Sequence, residues 1–177
     1  MSVKQLNIHV KILTRPKAPR TVKKMIKAMR EVYDFADINV QLASTKVLNL
    51  NDPQLASLND LDVGSCSGNA TEDQRDLAAF RSGVPDGEIV VYMCHSLGGM
   101  FAGCSTHPEN NKPMAAISVT NASVYTLAHE VGHLLGLKHT SIAGNQLMTD
   151  EGTSGLIRIP LLTQSEIDIM RDSPCLT

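Results

Sequence analysis

The sequence predicts an α/β fold in which helices cover a mixed β-sheet. Two observations support this prediction: alternating or continuous apolar runs typical of strands recur along the chain, and stretches with apolar residues at helical spacing lie between and after them. Elements in such an order pack as an α/β sandwich around a mixed sheet. A length of 177 residues suits one domain, because a chain of this size can bury a full hydrophobic core.

Each element is assigned from the period of its apolar residues, which is two in a half-buried strand and about 3.6 in a helix. The first half is expected to contain a strand over residues 6–13, a helix over 20–36, a strand over 40–50 and a short helix over 71–80. The second half is expected to contain strands over 88–94, 99–106 and 114–119, a helix from 121 to about 135 and a last helix from 163. Capping-box pairs, Thr71 with Gln74 and Thr163 with Glu166, mark the start of two helices.

Composition excludes several classes of function. With 42% hydrophobic and 19% charged residues, the chain has the composition of a globular protein and not of a disordered one. No apolar run approaches the roughly 18 residues that cross a bilayer, so no membrane span is expected. A net charge of -2, with three Tyr, three Phe and no Trp, predicts no nucleic-acid partner. No signal peptide begins the sequence, which predicts a cytoplasmic protein or the mature form of an exported one.

The cysteines and one acidic loop leave further questions open. The four cysteines are Cys66, Cys94, Cys104 and Cys175. They form no C-x-x-C pair, which argues against a zinc ribbon or a thioredoxin-like site, and in an oxidising compartment they allow three disulfide connectivities. Asp60 and Asp62 precede Gly64, but no EF-hand loop follows them, so a calcium site is unsupported and a solvated loop is expected.

The segment HEVGHLLGLKH, residues 129–139, carries the clearest indication of chemistry. His129 and His133 are four apart, so on a helix both rings project from one face and can reach one ion. Glycine at 136 can adopt a positive φ, end the helix and turn the chain so that His139 becomes a third ligand. Zinc accepts imidazole nitrogens in tetrahedral geometry, and a catalytic site keeps one position for water. Glu130 can reach that water without itself binding the metal.

This string resembles the zinc-binding signature of the metzincin clan of metalloendopeptidases, in which a methionine-containing turn, the Met-turn, follows the third histidine. Met148, nine residues after His139, stands where that methionine is expected. The resemblance implies one catalytic Zn²⁺ held by the three histidines above a floor made by Met148. It also implies that Glu130 is the general base and that the substrate is a peptide or protein.

The resemblance covers most of the chain in element order and is nearest to small, single-domain bacterial members of the clan. It implies a single catalytic domain over residues 1–177, with an upper subdomain over 1–135 and a lower one over 136–177. It further implies a mixed, twisted five-stranded sheet with an antiparallel edge strand, two long helices and a C-terminal helix. The edge strand over 99–106 is expected to bind an extended substrate through Gly99, Met100, Phe101, Ala102 and Gly103. Residues 152–162 are expected to form the wall of the pocket for the residue after the scissile bond.

The chain also departs from parts of the clan. Astacin-like and serralysin-like members have a Tyr two residues after the Met-turn methionine, where this chain has Asp150, so no tyrosine is expected at the oxyanion. No pro-segment with a cysteine switch is expected before the domain. Control by substrate selectivity, by export or by a separate protein inhibitor is therefore expected.

Three alternatives to a general endopeptidase stay open. The first is a protease toxin or effector that cuts a single target protein. The second is a catalytically silent, zinc-stabilised binding module; Glu130 argues against it, and a thiolate from Cys94 or Cys104 on the metal would support it. The third is a thermolysin-type site with a distant glutamate ligand, which leaves Gly136 and His139 unexplained.

Overall fold

The computed structural model describes residues 2–13, 18–49, 53–66, 69–98, 100–109, 111–141, 144–150 and 152–177. In chain order its elements are β1 (Lys4–Ile12), α1 (Ala18–Tyr33), β2 (Ile38–Val47), α2 (Pro53–Ser57), β3 (Asp60–Leu61), α3 (Glu72–Ala78), β4 (Ile89–Cys94), β5 (Ser96–Leu97), β6 (Gly103–Thr106), β7 (Met114–Ser118), α4 (Thr126–Leu134) and α5 (Gln164–Arg171). Short 3₁₀ turns follow α1 and α3. Both predicted capping boxes are present, at the first residues of α3 and α5.

Five strands form the main sheet, in the order β2-β1-β4-β7-β6. The first four are parallel, and β6 pairs antiparallel with β7, with Gly103 opposite Ile117 and Thr106 opposite Met114. The prediction of a mixed five-stranded sheet with an antiparallel edge strand is confirmed. A second sheet, formed by β3 and β5, was not predicted.

The edge strand is shorter than the predicted strand over residues 99–106. It begins at Gly103, because the segment before it belongs to the second sheet: β5 pairs with β3, and the backbone N–H of Gly98 donates to the carbonyl of Leu61 at 2.7 Å. The described chain therefore leaves the second sheet after Gly98. It joins β7 only where the N–H of Ser118 donates to the carbonyl of Ala102 at 3.0 Å.

The two faces of the main sheet are buried against different layers. On one face, alternate β1 residues such as Ile8 and Val10 pack in a core with the apolar sides of α1 and α4. On the other face, Tyr92 and Cys94 of β4 pack in a second core with residues from the α2, β3 and α3 region. A strand buried on both faces reads as a continuous apolar run, which explains why residues 89–94 lack alternation.

Helix α4 has nine residues and is shorter than the helix predicted from residue 121. Side-chain hydroxyl groups accept hydrogen bonds from the backbone N–H groups just before it. The N–H of Asn121 donates to the Ser118 hydroxyl at 3.2 Å, and the N–H of Ser123 donates to the Thr126 hydroxyl at 2.9 Å. These bonds stabilise turns over residues 121–125, so the helix begins at Thr126. At its other side α4 is held to α1 by the buried Tyr33 hydroxyl, which donates to the carbonyl of Ala128 at 2.8 Å.

The C-terminal segment packs into the same core as the rest of the chain. Met148, Met170 and Leu176 belong to the core cluster that contains the α1 and α4 residues. Arg171 donates to the carbonyl of Ala36 at 2.7 Å, and residue 177 exchanges two backbone hydrogen bonds with β1. None of the helices in the described part of the chain is long and apolar enough to span a bilayer.

Candidate metal centre and its cleft

Three histidine rings converge at the C-terminal half of α4. His129 and His133 project from one face of this helix, which ends at Leu134. Gly136 has a φ of +102°, and the N–H of residue 137 donates back to the carbonyl of Gly132 at 3.0 Å. The chain then returns, so that the Nε2 atom of His139 lies 3.1 Å from Nε2 of each of the other two rings. The geometric prediction from the glycine and the third histidine is confirmed.

The hydrogen bonds of the other ring nitrogens fix where the protons lie. Nδ1 of His129 contacts the carbonyl of Leu147 at 2.8 Å, and Nδ1 of His133 contacts that of Leu137 at 2.9 Å. A carbonyl only accepts, so both Nδ1 atoms carry the proton and both Nε2 atoms present a lone pair. Burial lowers the pKa of His129 to about 4 and also lowers the pKa of His133, which keeps both rings neutral.

This arrangement fits a metal ion. A proton on Nε2 of His139 can be donated to only one of the two facing lone pairs, so the other Nε2–Nε2 contact brings two lone pairs together. A cation between the three rings removes this repulsion, because all three nitrogens can then donate a lone pair to it. Imidazole nitrogens held at 2.0–2.1 Å in a tetrahedron lie about 3.3–3.4 Å apart, close to the observed 3.1 Å. Among the described residues these three histidines are the one group of three or more His, Cys, Asp or Glu side chains placed to hold an ion.

Glu130 lies beside the histidines with its carboxylate against the edge strand. Its side chain passes so close to β6 that a Cβ atom on Gly103 would lie 2.5 Å from its Cγ and 2.6 Å from its Oε1, so only glycine fits there. Burial raises the pKa of Glu130 to about 7, and a hydrogen bond from the Ser105 hydroxyl acts in the opposite direction. The carboxylate is thus held between α4 and β6 with its pKa near neutrality.

Met148 lies fully buried under α4. Its Sδ atom would be 2.9 Å from a Cβ on Gly132, so the helix and the methionine meet at a glycine. The same segment reaches the metal centre, because Leu147 supplies the carbonyl that holds His129 and the carbonyl of Met148 accepts from the N–H of Thr140 at 2.7 Å. The position agrees with a floor beneath the histidines, and its function as a Met-turn stays a prediction.

A cleft of about 790 Å³ runs past the three histidines and Glu130. Four of the five predicted substrate-binding residues line it: Met100, Phe101, Ala102 and Gly103. The fifth, Gly99, lies outside the described residues. The pocket wall was predicted over residues 152–162. Residues 152–154 line the cleft, and residues 155–162 do not.

A protein-family model described as metallo-peptidase family M12 (Reprolysin_5) matches residues 10–156, a range that contains all the site residues above. The chain belongs to metallopeptidase family M12. No curated protein sequence matches it.

Two solved structures share the fold of this M12 metallopeptidase, and a third aligns with a lower score. Metalloproteinase-II from Bacteroides fragilis aligns with a TM-score of 0.65 and 18% identity, over 98% of this chain and 53% of that one. A chain of a chaperone–substrate complex aligns with a TM-score of 0.60 and 11% identity, over 96% and 34%. Archaemetzincin from Methanopyrus kandleri gives a TM-score of 0.48 and 17% identity, over 96% and 88%. The chain spans about half the length of the first of these. The expected α/β fold around a mixed five-stranded sheet is confirmed, and metalloproteinase-II shares that fold.

The M12 site also contains residues for which no individual role was predicted, although Ser105 and Thr153 lie in the predicted edge strand and pocket wall. Ser105 binds Glu130, and the hydroxyl groups of Ser123, Thr126 and Thr153 line the cleft. Helical period could have found Thr126, because it lies three residues before His129 on the same face of α4. The others are brought to the site by strand pairing and by a long loop, which no local pattern in the sequence records.

A disulfide joins the cleft to the loop before α3. Cys66 and Cys104 are bonded across 38 residues, with their Cα atoms 5.6 Å apart, and Cys104 directly follows Gly103 in β6. Cys94 and Cys175 are free thiols, of which Cys94 is buried with a pKa raised to about 12. Because the sulfur of Cys104 is in the disulfide, it offers no thiolate to the metal. A thiolate ligand from Cys104, which would have favoured a silent binding module, is therefore not available.

Proposed function

We propose that this M12 metallopeptidase is a zinc-dependent endopeptidase. The observation that carries the proposal is the convergence of three imidazole rings, with Nε2 of His139 3.1 Å from Nε2 of each of the other two, beside a buried glutamate in an open cleft. Three histidines with a free fourth position are the ligand set of a catalytic zinc, whereas structural zinc sites fill all four positions with protein ligands. When bound, zinc supplies a Lewis acid that polarises the scissile carbonyl and lowers the pKa of a water.

Glu130 is proposed as the general base. In the metal-free protein its pKa is about 7, near neutrality, where a side chain can both accept a proton and return it. It takes the proton from the water that attacks the scissile carbonyl and delivers that proton to the leaving amine. Gly103 and Ser105 orient its carboxylate, the first by leaving room for the side chain and the second by a hydrogen bond.

The substrate backbone is proposed to lie along β6. This strand is the last in the sheet order, and within the described residues no strand pairs with its outer side. An extended peptide can add there by main-chain hydrogen bonds, with Met100–Gly103 contacting its side chains. Met100 is 91% exposed at the rim of the cleft, which suits a residue that becomes covered when substrate binds.

The test is cleavage of a diverse peptide library by the zinc-loaded protein, read by mass spectrometry. Glu130→Gln, which keeps the shape of the side chain but removes the base, should lower cleavage by at least ~100-fold while zinc binding persists. Glu72→Gln, an exposed residue in the first turn of α3, is the matched control and should cleave as wild type does. Undiminished cleavage by Glu130→Gln refutes its assignment as base.

The same experiment separates the proposal from a protease that cuts a single target protein. Such an enzyme would bind one zinc and leave the peptide library intact. It would cleave one protein in a lysate of the cells that contain its target, and only when Glu130 is present. A catalytically silent binding module would bind zinc and cleave neither. The open cleft beside a glutamate with a near-neutral pKa favours an active enzyme over the silent module.

We also propose that the enzyme works outside the reducing cytosol, because the Cys66–Cys104 disulfide is of the kind that persists in oxidising compartments. Alkylation of the native protein without reductant, followed by mass spectrometry, should modify neither of these two cysteines. Quantitative alkylation of both would contradict this proposal, because the disulfide would then be absent.

A further inference from the structure

Three hydroxyl groups form part of the cleft next to the metal ligands, and the proposed reaction uses none of them. Oγ of Ser123 lies 2.7 Å from Oγ1 of Thr153 and 3.3 Å from Oγ1 of Thr126, and the two threonine oxygens lie 3.0 Å apart. Thr126 and Thr153 are 2% and 5% exposed, and all three residues line the cleft. We call these three residues the hydroxyl triad.

The hydrogen-bond capacity of the triad can be counted. Each hydroxyl has one proton to donate, so three protons serve the three contacts and each oxygen donates once and accepts once. Backbone groups take two more lone pairs: the N–H of Ser123 donates to Thr126, and the N–H of Tyr125 donates to the side chain of Ser123. Within the part of the chain that the structure describes, no further donor reaches Thr153. The triad is therefore saturated as a donor and keeps one accepting lone pair, on Thr153.

The triad lies one helical turn from the metal ligands. Thr126 precedes His129 by three residues on α4, which corresponds to a rise of about 4.5 Å along the same face. Successive residues of an extended peptide are about 3.3 Å apart. When a scissile carbonyl lies at the histidines, the side chain of a residue that flanks the scissile bond therefore reaches the triad.

We propose that the hydroxyl triad is a specificity subsite that selects a neutral, hydrogen-bond-donating side chain (Ser, Thr, Asn or Gln) at a position flanking the scissile bond. This inference rests on the proposed endopeptidase function and adds the class of substrate. A donor side chain satisfies the lone pair of Thr153, whereas an apolar side chain of the same shape removes it from water without a partner.

The test uses peptides that differ only in this chemistry. In a peptide cut by the zinc-loaded enzyme, each residue flanking the scissile bond is changed in isosteric pairs, Thr against Val and Asn against Leu. At one of the two positions we expect kcat/KM for the donor member to exceed that for the apolar member by about tenfold or more. Equal values at both positions overturn the proposal.

Variants of Thr153 assign the selectivity to the triad. Thr153→Val keeps the shape of the residue and removes its oxygen, so the ratio of Thr to Val peptide should fall to near one; Thr153→Ser restores the oxygen and should restore the ratio. Thr45→Val, exposed on β2 at the opposite edge of the sheet, is the matched control and should keep the wild-type ratio. An unchanged ratio in Thr153→Val overturns the proposal even if the wild type discriminates.

A binding measurement keeps the two proposals separable. Hydroxamate-capped peptides with Thr or Val at the same position are titrated into the zinc-loaded protein by calorimetry. Tenfold tighter binding of the Thr peptide, lost in Thr153→Val, supports the subsite even if no peptide is hydrolysed, in which case the endopeptidase proposal fails alone. Equal binding of the two peptides, together with hydrolysis that ignores the Thr/Val exchange, refutes the subsite and leaves the endopeptidase proposal standing.

Discussion

Replacing Glu130 by Gln in the metal-free protein should make the fold more stable at alkaline pH, although the same change removes the proposed general base. Glu130 is 6% exposed, and burial raises its pKa from the ordinary 4.5 to about 7. A carboxyl whose pKa is raised on folding is more easily ionised in the unfolded chain, so ionisation favours unfolding. A glutamine cannot ionise and has nearly the same shape.

The pH window follows from the two pKa values. Below pH 4.5 the carboxyl is protonated in both states, and the free energy of unfolding has no contribution from its ionisation. Between pH 4.5 and about 7 only the unfolded chain loses the proton, so stability falls as pH rises, by up to about 1.4 kcal/mol per pH unit. Above pH 7 the full loss persists and amounts to about 3 kcal/mol for a pKa raised from 4.5 to about 7.

Urea unfolding followed by circular dichroism, with a chelator present, measures the effect at pH 5 and at pH 8. The quantity compared is the free energy of unfolding of Glu130→Gln minus that of wild type. We expect this difference to be about 2–3 kcal/mol larger at pH 8 than at pH 5. The lowered pKa of His129 has the opposite sign, with stability lost as pH falls from 6.5 towards about 4, but it is present in both proteins and cancels in the comparison. Glu72→Gln should show no such difference. If the free energies of unfolding of Glu130→Gln and wild type differ by the same amount at both pH values, folding does not raise the pKa of Glu130.

Three further perturbations test the surroundings of the site. Gly103→Ala places a Cβ 2.5 Å from the side chain of Glu130, so peptide cleavage should fall by at least ~100-fold while zinc affinity, measured by competition with a chelator, changes less than tenfold. Tyr33→Phe leaves a buried α4 carbonyl without its donor and should lower the free energy of unfolding by about 1–2 kcal/mol in urea, with activity retained. Reduction of Cys66–Cys104 releases a 38-residue loop and should lower the free energy of unfolding by about 4 kcal/mol. The control is the Cys66→Ser, Cys104→Ser double variant treated with the same reductant. If the urea midpoint of the wild type shifts no more than that of the double variant, the loss is due to the reductant and not to the disulfide.

The metal centre could be predicted because its information is local. His129 and His133 share a helix face by period alone, and Gly136 can reverse the chain only if it takes a positive φ, which is the conformation found. The strands near the chain start were equally predictable from alternation, and both capping boxes from their side-chain pairs. In each case the residues that decide the conformation lie within about eleven positions of one another.

What the sequence could not predict depends on contacts between distant segments. The edge strand was placed too early because residues 96–97 pair with 60–61, a choice that the glycine-rich stretch around them does not reveal. The partner of Cys104 was left open among three connectivities, since spacing carries no information on pairing. Thr153 joins Thr126 across 27 residues, so the hydroxyl triad appears only when the loop after Met148 is folded against α4.

Helix α4 shows why the site tolerates so little change. At 100° per residue, Thr126, His129 and His133 form one stripe facing the cleft, Glu130 lies at its border against β6, and Val131 faces the sheet in the core. Rotating the helix to relieve a clash at any one of these neighbours would turn all the others out of position. Gly103 in β6 lets the edge strand approach Glu130 closely, Gly132 in α4 lets the helix approach Met148, and the Tyr33 hydrogen bond fixes a third side. Changes that preserve zinc binding but shift α4 should therefore alter both the base and the substrate preference together.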